Sequence, residues 1–191
     1  MFDIQPEAVS MVHFIYSWLK ENDFDHFKRY TVVLLVIFFL QQIRYMPTAD
    51  MMHTGNARQR IMGNCLQKKY ATDWTYKFIV SGCSIQFNSS RTLAHYKLIK
   101  MISYKNHIAE FFKFYANFDY SKVMSTQKGV ASYGQITTLT KKMFSMKGVN
   151  ICGPISKKKN CGILNEKQRD LFVDICKKTF AILNGNKSWT A

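Results

Sequence analysis

The chain contains one pair of carboxylates whose spacing suits metal chemistry. Asp23-Phe24-Asp25 is its single Asp-x-Asp motif, and carboxylate oxygens are the ligands that Mg²⁺ prefers. The motif lies between two segments with helical periodicity, where short acidic residues commonly cap helices. We therefore interpret it as a turn in which Asp25 caps the second helix, and not as a metal site.

A second group of residues suits phosphates and nucleobases. Tyr30 supplies an aromatic ring, and Lys157-Lys158-Lys159 forms a basic run. A tyrosine ring can stack on any nucleobase, and lysine and arginine contact phosphates. The alternatives are a buried aromatic at a helix start and a solvated basic loop. The residues alone leave both alternatives open.

The cysteines and histidines show no metal-binding spacing. The five cysteines are an odd number without a C-x-x-C motif, which argues against a disulfide framework and a zinc site. Reduced thiols indicate an intracellular compartment, with cytoplasm, nucleus and mitochondrial matrix all open. We expect the five histidines (13, 26, 53, 95 and 107) to be packing or surface residues. The N-terminal segment resembles neither a signal peptide nor a transit peptide.

Composition indicates a folded, basic domain. The 191 residues are 47% hydrophobic and 15% aromatic, which excludes a disordered tail. The formal net charge of +15 favours a polyanionic partner, nucleic acid first and an acidic membrane surface second.

The first half of the sequence predicts two helices. Apolar residues recur at helical spacing between about Glu7 and Lys20, on a face formed by Ala8, Met11, Val12, Ile15, Trp18 and Leu19. The apolar run from Tyr30 to Leu40 is roughly half the ~20 residues that span a bilayer. It therefore predicts a buried core helix that ends before Pro47.

The second half predicts a short hairpin and further helices. Residues 51–70 are predicted to form a loop with one short helix. Residues 78–80 and 85–87 predict two strands joined by residues 81–84, and glycines 129, 134 and 148 bracket a loop or short strands. Helical spacing returns at Leu98, Ile99, Ile102, Ile108, Phe111, Phe112 and Tyr115. The last helix follows a capping box at Asn165 and Gln168, ends near Asn184-Gly185, and has a predicted apolar face of Leu171, Phe172, Ile175, Ile182 and Leu183. The fold class is thus mainly α, a single helical domain with a short β-hairpin.

Several segments, in order, resemble the non-canonical poly(A) and poly(U) RNA polymerases. Residues 27–41 with 46–50 are similar to the family's central helical segment, and residues 110–120 (EFFKFYANFDY) to its poly(A)-polymerase-associated signature. Residues 81–87 and 151–183 resemble the stretch before that signature and the closing loop with the last helix. The resemblance implies that residues 1–191 form the central and poly(A)-polymerase-associated helical domain.

The resemblance also implies that this chain lacks the catalytic domain of the family. In this family a separate palm domain, with a Gly-Ser turn and three carboxylates, holds two metal ions for nucleotidyl transfer. This sequence contains no Gly-Ser dipeptide. We therefore expect a palm-less chain that has no catalytic residue and binds no metal, and that is inactive alone. The complete family enzyme would use Mg²⁺ or Mn²⁺ with ATP or UTP.

The remaining sites follow from the resemblance, residue by residue. Tyr30 matches the aromatic residue that stacks on the incoming base, and Lys20 matches a phosphate-binding lysine; at a helix end Lys20 equally suits the helix dipole. Tyr16 and Arg29 replace a lysine and a serine of the family pattern, and we expect Arg29 and Lys28 to contact phosphates.

The closing loop departs further from the family pattern. This chain has Gly153-Pro154-Ile155 where the family pattern has Asp-Pro-Phe. Lys159 replaces the histidine that reads uracil in uridylyl transferases, so uridine preference does not follow. Lys157, Lys158 and Lys159 are candidate RNA-backbone contacts, or else a solvated loop.

Two functions remain open. One is part of an RNA 3′-terminal nucleotidyltransferase, and the other is a non-catalytic RNA-binding protein or a regulator that docks on an active relative. Either implies RNA as a partner, with the palm or a full-length nucleotidyltransferase as a second one, and neither implies DNA or a membrane. For Tyr115, Phe118, Asp119 and Tyr120 we expect packing and no chemistry. The expected compartment is intracellular, first the cytoplasm, with mitochondrion and nucleus also open.

Overall fold

A computed structural model describes residues 7–46, 48, 75–80, 83–88, 104–132, 148–153, 162 and 164–185. Its helices are α1 (Glu7–Glu21), α2 (Arg29–Gln42), α3 (Tyr104–Ala116) and α4 (Glu166–Gly185). Its strands are β1 (Thr75–Val80), β2 (Cys83–Asn88), β3 (Val123–Ser125), β4 (Gly129–Ala131) and β5 (Ile151–Cys152). The predicted fold class is confirmed: the chain is mainly α, with short β elements.

Helix α1 lies against the core on the face that the sequence predicts. All six residues of that face are buried, and the helix ends one residue beyond the predicted Lys20. Trp18 connects this face to two other helices. Its ring centroid lies 4.5 Å from that of Phe112 on α3, and its indole N–H donates to the Thr179 hydroxyl on α4 at 3.0 Å. The first helix is therefore fixed by packing and by one long-range hydrogen bond.

Helix α2 is the predicted core helix. Its ten buried residues are Thr31, Val32 and the continuous run from Leu34 to Gln41. A helix that is apolar on all sides is covered on all sides, and α1, α3, β4 and β5 all contact α2. Among the described helices none is long and apolar enough to cross a membrane.

Helices α1 and α2 end in the same backbone motif. After α1, the N–H of Asp23 donates to Lys20 O and that of Phe24 to Leu19 O, while Asp23 adopts φ 53°. After α2, Arg44 adopts φ 63° and Tyr45 donates to Leu40 O. This pattern is a Schellman motif, in which a left-handed residue lets two N–H groups satisfy the last carbonyls of the helix. The motif also buries Phe24, the apolar residue that follows.

The predicted cap at Asp25 is wrong. Helix α2 begins at Arg29, its N-cap residue is Lys28, and no side chain caps it. The reason lies in Phe24 and Phe27, which are buried 5.3 Å apart, with their ring centroids 5.7 and 5.1 Å from that of Phe172. Packing of these two rings holds residues 24–27 in turns, so the helix starts later than the acidic residues suggest.

Substitution of Asp23 by glycine should stabilise the protein. A non-glycine residue with positive φ is strained, and a carboxylate at a helix C-terminus opposes the helix dipole. We expect D23G to raise the free energy of unfolding by about 0.5–1 kcal/mol, measured by urea denaturation. Asp23→Ala is the control, because it removes the charge and keeps the strain. Equal gains in both variants would contradict a backbone origin.

Helix α3 carries an aromatic cluster that packs on α2 and α4. Ile108, Phe111, Phe112 and Tyr115 are buried, as their spacing predicts. The Tyr115 hydroxyl donates to Leu35 O at 2.7 Å, and the Tyr120 hydroxyl donates to Tyr115 O at 2.8 Å. These bonds satisfy both buried phenols and connect the end of α3 to the core helix.

The predicted hairpin is present and longer than expected. β1 and β2 pair antiparallel, with Val80 opposite Cys83, so Cys83 and Ser84 belong to a strand and not to the turn. A second sheet has the order β4-β3-β5, in which β3 is antiparallel to β4 and parallel to β5. Of the glycines predicted to bracket short strands, Gly129 begins β4 with φ 94°.

Helix α4 begins as predicted and buries fewer residues than predicted. Asn165 and Gln168 form the reciprocal bonds of a capping box, at 2.9 and 3.0 Å. Phe172, Ile175 and Cys176 are buried, whereas the other three predicted face residues are exposed: Leu171, Ile182 and Leu183. The 20 residues of α4 extend about 30 Å, while the 13 residues of α3 against which it packs extend about 20 Å. The last turns of α4 therefore extend beyond the helix that would cover them.

Candidate nucleotide-binding face

Three of the predicted site residues lie at the start of α2. Lys28 is its N-cap residue, with φ −68° and ψ 153°, and Arg29 and Tyr30 are its first two residues. Tyr30 is 53% exposed, although it directly precedes the buried run of the helix. The alternative interpretation of Tyr30, a buried aromatic at a helix start, is therefore wrong. Its ring is accessible to a ligand.

The fourth residue, Lys20, lies in the last turn of α1 and has a neighbour on its own helix. Its ammonium lies over the ring of half-buried Tyr16, 4.9 Å from the centroid. His13, Tyr16 and Lys20 have i, i+3, i+7 spacing and so share one side of α1. Two rings and one cation thus lie along this side of the helix.

A contact of His13 connects α1 to the start of α2. Arg29 Nη2 lies 3.5 Å from His13 Nε2, and both side chains are exposed. We name the joint surface the α1–α2 face; it consists of His13, Tyr16, Lys20, Lys28, Arg29 and Tyr30. The sequence analysis treated His13 as a packing or surface residue. Its spacing from Lys20 was the only signal, and it did not indicate Arg29 as a partner.

The electrostatics of the α1–α2 face are unusual for a protein surface. Within the described part of the chain, Lys20, Lys28 and Arg29 form no ion pair with a carboxylate. Lys28 and Arg29 also stand at the positive end of the α2 dipole, an arrangement that opposes helix stability. A helix start with positive side chains and no side-chain cap is suited to an anion.

The predicted RNA contacts Lys157, Lys158 and Lys159 lie outside the described residues, as do residues 51–70 and most of the closing loop. Gly153 is described and buried. The role of the basic run therefore stays a prediction.

The Asp-x-Asp motif does not form a metal site with its neighbours. Asp23 lies in the turn after α1, and Phe24 between the two carboxylates is buried in the core. Within the described residues no group of three or more His, Cys, Asp or Glu side chains could hold a metal ion. These residues do not fit the two-metal site of a polymerase palm, and we derive no step through a metal.

The segment at residues 115–120 lies partly in the core. Tyr115 is fully buried and Tyr120 nearly so, whereas Asp119 is exposed and ends a turn. The hydroxyl and the backbone N–H of Ser121 donate to the Asp119 carboxylate at 2.6 and 3.0 Å, and they lower its pKa. These contacts are structural.

Comparison with known proteins identifies the fold. No protein-family model and no curated protein matches the sequence. Solved structures of mitochondrial poly(A) polymerase (mtPAP) do match. The apo form has a TM-score of 0.66 at 18% identity over 96% of this chain, and the complex with UTP has 0.64 at 17% over 95%. The complex with ATPγS has 0.65 at 17% over 95%.

The match covers 35% of the mtPAP chain, so this chain spans about a third of that protein's length. At 17–18% identity the likeness concerns the fold. The chain has a poly(A) polymerase-like fold that corresponds to a helical part of mtPAP.

Proposed function

We propose that residues 1–191 are the central and poly(A)-polymerase-associated helical domain of an RNA 3′-terminal nucleotidyltransferase, and that the α1–α2 face holds the nucleotide. The observation that carries the proposal is the exposed ring of Tyr30 beside cations that have no carboxylate partner among the described residues. It occurs in a fold similar to mtPAP, which has been solved with UTP, GTP and ATPγS.

The face offers two kinds of contact to a nucleotide. Tyr30 stacks on the base, because its exposed ring accepts any nucleobase. Lys20, Lys28 and Arg29 contact phosphate oxygens, where arginine can donate two parallel bonds. Neither contact reads the base edge, so the proposal includes both adenylate and uridylate addition. The Lys157–Lys159 run contacts the RNA backbone.

The transfer reaction needs groups beyond the α1–α2 face. In a complete enzyme of this class a palm domain would hold Mg²⁺ or Mn²⁺, and that site would supply the chemistry at the RNA 3′-hydroxyl and at the leaving pyrophosphate. The described residues of this chain supply binding and orientation only, and the chain alone is inactive.

Replacement of Tyr30 by alanine tests the proposal. We expect Y30A to weaken binding of the fluorescent nucleotide mant-ATP about tenfold in a titration, because loss of one base–aromatic stack costs about 1–3 kcal/mol. Tyr30→Phe should bind like the wild type, since it keeps the ring. Leu171→Ala, at an exposed site on α4, is the control for surface changes in general. No nucleotide binding by the wild-type chain, or equal affinity in Y30A, would refute the proposal.

The net charge of +15 favours a second candidate, a non-catalytic RNA-binding protein. Its signature is binding of oligo(A) RNA that weakens steeply with salt, by a slope of about 0.7 per phosphate contacted. An immunoblot of the endogenous protein separates the two candidates. A species well above 22.3 kDa that extends RNA favours the polymerase. An inactive species of 22.3 kDa with salt-sensitive RNA binding favours the second candidate.

A further inference from the structure

Two cations of the α1–α2 face each lie beside the ring of another side chain. The Lys20 ammonium lies 4.9 Å from the centroid of the Tyr16 ring, and Arg29 Nη2 lies 3.5 Å from His13 Nε2. Since a guanidinium can only donate, His13 Nε2 is the acceptor in this contact.

The identity of these partners has an electrostatic consequence. A carboxylate that orients a cation also cancels its charge, and a phosphate must then compete with it. A neutral ring restricts the side chain without cancelling the charge. Restriction before binding lowers the entropy that a long side chain loses when it contacts a ligand. A ring partner therefore suits a cation whose function is to receive an anion.

We propose that His13 and Tyr16 are positioning residues of a phosphate-binding site, in which His13 orients Arg29 and Tyr16 orients Lys20 toward a nucleotide phosphate. The proposal rests on the proposed function, because it takes the α1–α2 face as the surface that holds the nucleotide. It assigns a role to two residues that touch no nucleotide and act through their cationic neighbours.

The test at His13 compares two variants of nearly equal size. His13→Gln keeps a neutral acceptor for Arg29, whereas His13→Glu pairs Arg29 with a carboxylate. In mant-ATP titrations with EDTA, we expect H13Q to bind within about twofold of the wild type and H13E about tenfold more weakly. His13 is exposed, so both variants should keep the wild-type melting temperature within about 2 °C.

The test at Tyr16 separates the ring from its apolar bulk. Tyr16→Phe keeps a ring under Lys20, and Tyr16→Leu keeps an apolar side chain that can pack against the core without a ring. We expect Y16F to bind within about twofold of the wild type and Y16L about threefold to fivefold more weakly. A double variant of Tyr16→Leu with Lys20→Ala should bind no more weakly than K20A alone, because Tyr16 acts through Lys20.

The outcomes separate this inference from the proposed function. If the wild type binds mant-ATP and Y30A weakens it, but H13E and Y16L bind normally, the positioning roles are refuted and the proposed function stands. Equal weakening by H13Q and H13E would refute the role of charge at His13. A wild-type chain that binds no nucleotide refutes the proposed function itself.

Discussion

Replacement of Phe172 by alanine should lower the free energy of unfolding by about 3–5 kcal/mol, a large part of the stability of a single domain. Phe172 is fully buried and is the residue of α4 on which three other rings meet. Its ring centroid lies 5.7 Å from that of Phe24, 5.1 Å from Phe27 and 5.9 Å from Tyr115. Its loss would open a cavity between α3, α4 and the connection from α1 to α2.

The neighbouring Leu171 is a matched control for this prediction. It precedes Phe172 on the same helix and is 46% exposed, so Leu171→Ala should change the free energy of unfolding by less than about 0.5 kcal/mol. Phe172→Leu, which keeps most of the volume, should cost less than F172A. Urea denaturation followed by circular dichroism measures all three. A loss in L171A as large as in F172A would contradict the burial of α4 described above.

Local periodicity was enough to predict the parts of the fold in which one face meets the core. The face of α1 repeats every three or four residues, and the capping box of α4 is defined by two residues three apart. The core position of α2 followed from its length, because roughly ten apolar residues are too few to span a bilayer. In each case the signal lies within one helix.

The incorrect predictions depend on contacts between distant residues. Asp25 does not cap α2, because Phe24 and Phe27 are fixed by Phe172, which lies in the last helix of the chain. Leu171 and Ile182 fit the helical pattern of α4 but are exposed. The pattern could not predict this, because it does not show how far the surface that covers α4 extends.

In the candidate site, too, residues could be predicted from local sequence, whereas a contact between helices could not. Tyr30, Lys28, Arg29 and Lys20 were predicted from their residue types and a resemblance. The contact of His13 with Arg29 was not, since it depends on how α1 and α2 pack. A histidine on the polar side of an amphipathic helix carries no information about its partner on another helix.

Alkaline pH should destabilise the protein steeply, because two buried phenols and one buried thiol resist ionisation in the folded chain. Burial raises the pKa of Tyr115 and Tyr120 well above 10.0 and that of Cys176 well above 9.0. Nearby Tyr120 and then Cys176 raise the pKa of Tyr115 further, while Cys176 raises and Arg169 lowers the pKa of Tyr120. In the unfolded chain these groups lose their protons at ordinary values, while in the folded chain they keep them. Their stabilising contribution is therefore full below about pH 9 and is lost as the pH rises above about 10.

The expected slope of the free energy of unfolding against pH is large, and the share of one residue, Tyr120, can be measured. Each group contributes about 1.4 kcal/mol per pH unit, so the three together approach about 4 kcal/mol per unit above pH 10. Tyr120→Phe keeps the ring and removes one titrating group. Its slope should be smaller by about 1.4 kcal/mol per pH unit, after a constant loss of about 1 kcal/mol for the missing bond to Tyr115 O.

Urea denaturation at intervals of half a pH unit from pH 8 to 11 measures both slopes. The wild type and Y120F differ in no other ionisable group, so the difference between the two slopes reports the loss of the Tyr120 phenol. Identical slopes would mean that the phenol of Tyr120 ionises as readily in the folded chain as in the unfolded one. That result would contradict its burial beneath the end of α3, and with it the packing role assigned to residues 115–120.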